Sequence, residues 1–174
     1  IDKFSYTGIN RTLRAVPDIN IQEEDGFGLW PNIGLRGTGV ERSSKITVME
    51  DGVLMAPAPY AAPAAYYFPT IGRMQAIEIL KGSSQIKYGP YTTGGAINLI
   101  STPIPEQFSG RMHLLGGSYG GRNLHAYVGN AHKNVAYLVE TFQYKSNGFK
   151  VLDRGGNTGF DKKDYLAKLK INTN

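Results

Sequence analysis

The segment Arg73–Pro103 (RMQAIEILKGSSQIKYGPYTTGGAINLISTP) constrains the fold more than any other part of the chain. It holds two apolar runs, Ala76–Leu80 and Ala96–Ile100, each of about five residues, the usual length of a strand. Between them stand Gly82, Gly89, Pro90, Gly94 and Gly95, residues that serve turns needing a positive or a fixed φ. Ser83–Tyr88 has room for about one helical turn, with Ser83 or Ser84 as candidate N-cap. The segment is expected to run strand, tight turn, helical turn, glycine-rich corner, strand.

Upstream, residues 5–16 place Ile9, Leu13 and Val16 at helical spacing, with Thr7 as candidate cap and Pro17 closing the turn. Asp18–Gln22 alternates as a short strand, followed by an acidic, glycine-bearing loop at 23–28. Ile33–Gly37 and Lys45–Met49 read as strands joined by Thr38–Ser44, and Asp51-Gly52 is a turn signal. Leu54–Pro69 carries Pro57, Pro59, Pro63 and Pro69 beside Tyr60, Tyr66, Tyr67 and Phe68. Such a run is neither a regular helix nor a central strand. It is expected to be a long aromatic loop of functional kind, too apolar for disorder.

After Pro103-Ile104-Pro105 the pattern changes to period two. Met112 and Leu114 oppose Arg111 and His113; Leu124, Ala126 and Val128 oppose Asn123, His125 and Tyr127. Tyr165, Ala167, Leu169 and Ile171 alternate with Leu166, Lys168, Lys170 and Asn172. Segments of about 9–11 residues with this alternation have the length of tilted membrane-crossing strands. Asn134–Lys145 is also extended, but Glu140 among apolar neighbours leaves its faces unassigned; residues 145–161 read as a long polar loop. We place a boundary near Pro103–Glu106, giving domains 1–103 and 104–174.

Composition agrees with β structure rich in turns: Gly is 22, Tyr 11, and charged residues are 19%. The net charge of +5 suits an anionic ligand or anionic lipid headgroups. The basic residues are scattered without a nucleic-acid motif, so nucleic acid is not an expected partner. There is no cysteine, which excludes disulfides and thiolate metal sites. No apolar run reaches the roughly 18 residues of a membrane helix, and no leader pattern is seen at Ile1.

Catalytic signatures are weak. Ser83-Ser84 lacks the Gly-x-Ser-x-Gly elbow, no P-loop is present, and Gly26-Phe27-Gly28 lacks the third glycine of a dinucleotide fingerprint. His125 and His132 fall on opposite faces of one strand, which disfavours a histidine metal site. The expectation is no enzyme and no metal site.

The string Ile77-Glu78-Ile79-Leu80-Lys81-Gly82, then Tyr88-Gly89-Pro90, then Gly94-Gly95-Ala96-Ile97-Asn98-Leu99-Ile100-Ser101-Thr102, resembles the signature of the plug domain of TonB-dependent outer-membrane receptors. Gly34-Leu35-Arg36-Gly37 and Asp51-Gly52 fall where that family has its Arg-Gly and Asp-Gly segments. Ala58-Pro59-Tyr60 and Tyr88-Gly89-Pro90 look most like the ferric citrate branch. The resemblance implies an α+β plug domain, a small mixed sheet with short helices, followed by antiparallel strands of a large transmembrane β-barrel. Such barrels close about 22 strands around a plugged lumen; an open edge is not tolerated in lipid, so the barrel is incomplete in this chain.

It further implies a receptor in the outer membrane of a Gram-negative bacterium. Its expected partners are a ferric chelate, a TonB-type energy-coupling protein of the inner membrane and outer-membrane lipid. It carries no cofactor, iron entering only as part of the transported chelate. The family's apical plug loops touch the ligand, and here they correspond to Thr38–Ser44, Ala56–Phe68 and Tyr88–Thr93. An anionic chelate needs cationic and hydroxyl donors. Thr38, Arg42, Ser43, Tyr60, Tyr66, Tyr67 and Tyr91 are the candidates. Arg36, Glu78 and Lys81 match positions that latch plug to barrel, the alternative being an internal Arg36–Glu78 bridge. Another siderophore, cobalamin, haem or a glycan are alternative cargoes. A soluble periplasmic β-rich binding module is the alternative of another class.

Overall fold

Glycine-bounded apolar runs become strands because each can bury one or both faces against a neighbour. The computed structural model describes residues 9–24, 26–55, 67–89 and 92–173. The chain divides into two units, Ile1–Thr102 and Pro103–Asn174.

In the first unit, helix α1 (Ile9–Leu13) turns one face inward through buried Ile9 and Leu13. Strands β1 (Ile19–Glu23) and β2 (Pro31–Leu35) form an antiparallel pair. A second sheet has the order β4-β3-β6-β5, from β3 (Ile46–Glu50), β4 (Val53–Leu54), β5 (Met74–Leu80) and β6 (Gly95–Ser101). The Asp51-Gly52 turn joins β3 to β4 with both residues at positive φ, 49° and 81°, the conformation of a two-residue hairpin loop. Strands β5 and β6 flank the glycine-rich corner as expected and pair antiparallel, with a 3₁₀ turn at Ser83–Tyr88 between them. What local pattern did not show is that β3 lies parallel to β6, with Val48 opposite Ile97.

The core gathers Ile9, Leu13, Ile33, Leu35, Ile46, Val48, Ile97 and Leu99. Burying each such side chain contributes about 1.5–3 kcal/mol.

The second unit is one antiparallel sheet of β7 (Ser109–Gly116), β8 (Arg122–His132), β9 (Val135–Ser146) and β10 (Phe160–Ile171), in sequential order. β8 and β9 turn through only Lys133-Asn134, whereas residues 147–159 connect β9 to β10. Its register separates two faces. On one lie Met112, Leu114, Ala126, Val128, Val139, Tyr165 and Ala167; on the other lie Arg111, His113, His125, Tyr127, Glu140 and Asp164. Glu140, unassigned from sequence, stands on the polar face beside His125, with Nε2 and Oε1 2.7 Å apart. Among the described residues, no helix is long and apolar enough to cross a membrane.

Candidate functional site

The connection from β2 to β3 is held tightly by its own backbone. Arg36 and Gly37 both have positive φ, 56° and 76°, and the Thr38 N–H donates to the Leu35 carbonyl at 3.1 Å. The Thr38 hydroxyl donates to the Leu35 carbonyl at 2.8 Å and accepts the Leu35 N–H at 3.2 Å. Two glycines let this turn approach the sheets. A Cβ at Gly34 would lie 2.4 Å from the Thr38 carbonyl oxygen, and one at Gly94 would lie 2.8 Å from Thr38 Oγ1. Gly94 also donates its N–H to the Lys45 carbonyl at 2.8 Å.

A 3₁₀ turn at Glu41–Ser43 follows, with Arg42 at φ 49° and Ser43 at φ 54°. Non-glycine residues rarely adopt this left-handed region, which costs roughly 1–2 kcal/mol per residue. Hydrogen bonds from Ser43 offset the cost. Its hydroxyl accepts the Ile33 N–H at 2.9 Å and donates to the Pro31 carbonyl at 3.2 Å.

Ser43 is fully buried, which corrects its expected role as a ligand-facing donor: both directions of its hydroxyl are used inside the fold. Thr38 is half-buried with its hydroxyl likewise engaged on Leu35. Arg42 is exposed. The loop therefore presents a cation on a braced backbone rather than the expected cluster of one guanidinium and several hydroxyls. Tyr67 is half-buried, next to the core residue Phe68. Tyr60, Tyr66 and Tyr91 lie outside the described residues.

Among the described residues, the three expected latch residues do not bond one another. Lys81 Nζ donates to the Pro17 carbonyl and stands 3.6 Å from the Asp18 carboxylate. Glu78 accepts from Asn98 Nδ2 at 2.9 Å, while Asn98 Oδ1 accepts the Gly52 N–H at 2.9 Å. Arg36 is exposed, and its N–H donates to the Asp18 carbonyl at 2.9 Å. The internal Arg36–Glu78 bridge is thus replaced by Glu78–Asn98. The Arg36 backbone and the Lys81 side chain instead both bond the Pro17-Asp18 segment just before β1.

The family model of the TonB-dependent receptor plug domain matches residues 1–96. The chain belongs to this plug-domain family. Solved structures agree in fold. The unliganded ferric citrate transporter FecA matches at TM-score 0.65 and 22% identity over 98% of this chain and 30% of its own. The siderophore receptor PirA from Acinetobacter baumannii matches at 0.68 and 18%, over 97% of this chain and 27% of its own. The pyoverdine receptor FpvA from Pseudomonas aeruginosa PAO1 matches at 0.74 and 19%, over 97% and 23%. The chain thus spans between 23% and 30% of the length of these three structures. It pairs a plug fold with antiparallel strands like those that open a TonB-dependent barrel, and the barrel is not closed.

Inside the plug unit, sequence reasoning missed a nearly buried, two-pronged ion pair. Arg73 Nη1 and Nη2 donate to Glu50 Oε1 and Oε2 at 2.6 and 2.9 Å, with the side chains 4% and 10% exposed. Next to it, Asp51 accepts the N–H and hydroxyl of Ser101. The only sequence signal was a charge at each end of apolar strands, Glu50 after Ile46–Met49 and Arg73 before Met74–Leu80. Among the described residues, no group of three or more acidic, histidine or cysteine side chains is placed to hold a metal ion.

Proposed function

We propose that the chain is part of an outer-membrane, energy-coupled receptor that imports a ferric chelate, with ferric citrate as cargo. The observation that carries the ligand chemistry is Arg42. Its exposed side chain rises from a left-handed backbone braced by buried Ser43. A guanidinium carried on a braced backbone offers a forked donor to an anionic, multi-carboxylate complex. Iron-chelate uptake is supported by the proteins that share the fold, described as a ferric citrate transporter, a siderophore receptor and a pyoverdine receptor. Citrate in particular is supported by the Ala58-Pro59-Tyr60 and Tyr88-Gly89-Pro90 segments.

The apolar face of β7–β10 then meets lipid and the polar face meets the barrel lumen. No covalent step is involved. Ligand binding at the plug is relayed to an inner-membrane TonB-type partner, which supplies the energy because the outer membrane holds no ATP. In this reading Arg36, with its exposed side chain, latches the plug against carboxylates elsewhere in the intact receptor. Tyr60, Tyr66, Tyr67 and Tyr91 add phenolic donors to the ligand site.

The test is a titration of the full-length receptor in detergent with ferric dicitrate, read by intrinsic fluorescence. Saturable binding, weakened by Arg42→Ala and by Tyr60→Ala, is the expected result. A folded receptor that ignores ferric citrate but binds another iron chelate removes the citrate assignment. One that binds ferric citrate equally well with Arg42→Ala removes the role of Arg42.

A further inference from the structure

The apolar face of β7–β10 is not uniform. Four same-face rungs follow one another along it: Gly110–Val128–Val139–Ala167, Met112–Ala126–Thr141–Tyr165, Leu114–Leu124–Gln143–Lys163, and Gly116–Arg122–Lys145–Asp161. Small residues at Gly110, Ala126 and Ala167 leave a groove of about 860 Å³ beside exposed Met112 and Tyr165. The next two rungs line a second hollow of about 440 Å³. Together the rungs from Gly110 to Gly116 extend about 20 Å along the strand, the reach of an extended acyl chain.

Charge appears only at one end of this track. Arg122 and Lys145 face each other directly across β8 and β9. Like charges directly opposite destabilise a sheet. Lys145 also stands 3.9 Å from Asp161, both well exposed, and Lys163 lies one rung away. Three cations against one carboxylate leave a net positive rim. Space for an anion is present, because a Cβ at Gly116, opposite Arg122, would meet nothing within 4 Å. This rim borders the 117–121 and 147–159 connections, away from the Lys133-Asn134 turn. In outer-membrane barrels the longer loops are extracellular and the short turns periplasmic, so the rim sits at the outer leaflet.

We propose that this face binds a phosphorylated glycolipid of the outer leaflet, with an acyl chain over Gly110, Ala126 and Ala167 and a phosphate on Arg122, Lys145 and Lys163. The assignment rests on the barrel reading above. An anion between Arg122 and Lys145 relieves their repulsion, and the guanidinium offers a two-pronged donor to phosphate. Cations that merely snorkel to the membrane edge would need neither the groove below them nor the open space at Gly116.

The experiment uses the full-length receptor, purified in mild detergent and stripped of lipid. It is titrated with bisphosphorylated lipid A, with dephosphorylated lipid A and with phosphatidylglycerol, and bound lipid is counted by native mass spectrometry. Each sample is also checked for the heat-modifiable electrophoretic mobility of a folded barrel. Tight binding of the bisphosphorylated form alone is expected. Replacing Arg122, Lys145 and Lys163 together with Gln lowers its affinity at least about tenfold, Ala167→Phe lowers it by filling the groove, and Lys133→Gln at the opposite end leaves it unchanged. If the triple variant does not fold, Lys145→Gln alone decides. Unaltered binding by the folded charge variants overturns the site, as does equal binding of phosphatidylglycerol. A folded wild-type barrel that retains no lipid overturns the site alone. A wild-type receptor lacking the barrel signature overturns the barrel reading with it.

Discussion

In the sheet of β3–β6, Ile46, Val48, Ile97 and Leu99 are at most 1% exposed, whereas Met112, Leu114, Tyr165 and Leu169 in β7–β10 stand 62–69% exposed. The residue types are alike, so hydrophobicity alone does not distinguish the two sheets. Their periods do. Strand β6 is buried along nearly its whole length, as expected of a strand covered on both faces. Strand β10 alternates strictly over most of its length and leaves one apolar face uncovered. The first sheet is a protein core; the second leaves its apolar side open, and in the proposed receptor lipid completes it. Polar groups follow the same division. Arg73 and Glu50 are enclosed as a matched pair in the first unit, while Lys163 and Lys145 stay exposed at the rim of the second.

The largest effect should come from breaking the enclosed pair. Glu50→Ala removes both carboxylate oxygens to which buried Arg73 donates, and removing one partner of a buried pair costs about 3–5 kcal/mol. Denaturant unfolding of the receptor, followed at Trp30 in the plug unit, should show that loss. A loss below about 1 kcal/mol, the value of a surface pair, would place the pair in effective contact with water and blur the contrast with the second sheet.

The two faces of β8 give the next test. Ala126→Arg puts a charge on the apolar face and should cost about 2–4 kcal/mol in a bilayer. Tyr127→Arg, one residue on and on the polar face, should cost far less. Folding yields in lipid vesicles measure both. Equal tolerance would remove the assignment of the Met112 face to lipid.

Ser43→Ala should be intermediate. It strips the buried Ile33 N–H of its acceptor, at about 1–3 kcal/mol, and loosens the Arg42 loop. Thermal unfolding should report the first change and weaker ferric citrate binding the second. Loss of stability with affinity intact would separate the brace from the ligand site.

The smallest effect on stability, and the sharpest on function, is expected for Arg42→Gly. Glycine adopts the observed left-handed φ freely, so stability should change by less than about 1 kcal/mol while affinity for ferric dicitrate falls. Calorimetry on the same sample reads both quantities, and retained affinity would take Arg42 out of the site.

Much of this architecture can be read in the chain itself. The apolar runs at Ala76–Leu80 and Ala96–Ile100 became β5 and β6, Asp51-Gly52 became a hairpin turn, and alternation after Pro103 gave the two-faced sheet. Those features are local, because strand period, positive-φ glycine turns and chain breaks depend on neighbours in sequence. The site was less legible. Ser43 and Thr38 looked like ligand donors because hydroxyls near an arginine have that chemistry, yet a hydroxyl's partner depends on which backbone group folding brings to it. Ile33 and Pro31 stand ten and twelve residues away from Ser43.

The sequence by itself determined the turn positions, the faces of β7, β8 and β10 and the change of character near Pro103, since each depends on periodicity and backbone freedom. Tertiary structure alone decided the parallel seating of β3 on β6, the Glu50–Arg73 pair across 23 residues, and the place of Glu140 beside His125. Each is a contact between segments distant in sequence, and its energy arises only when their packing and register exclude water from a particular pair of groups.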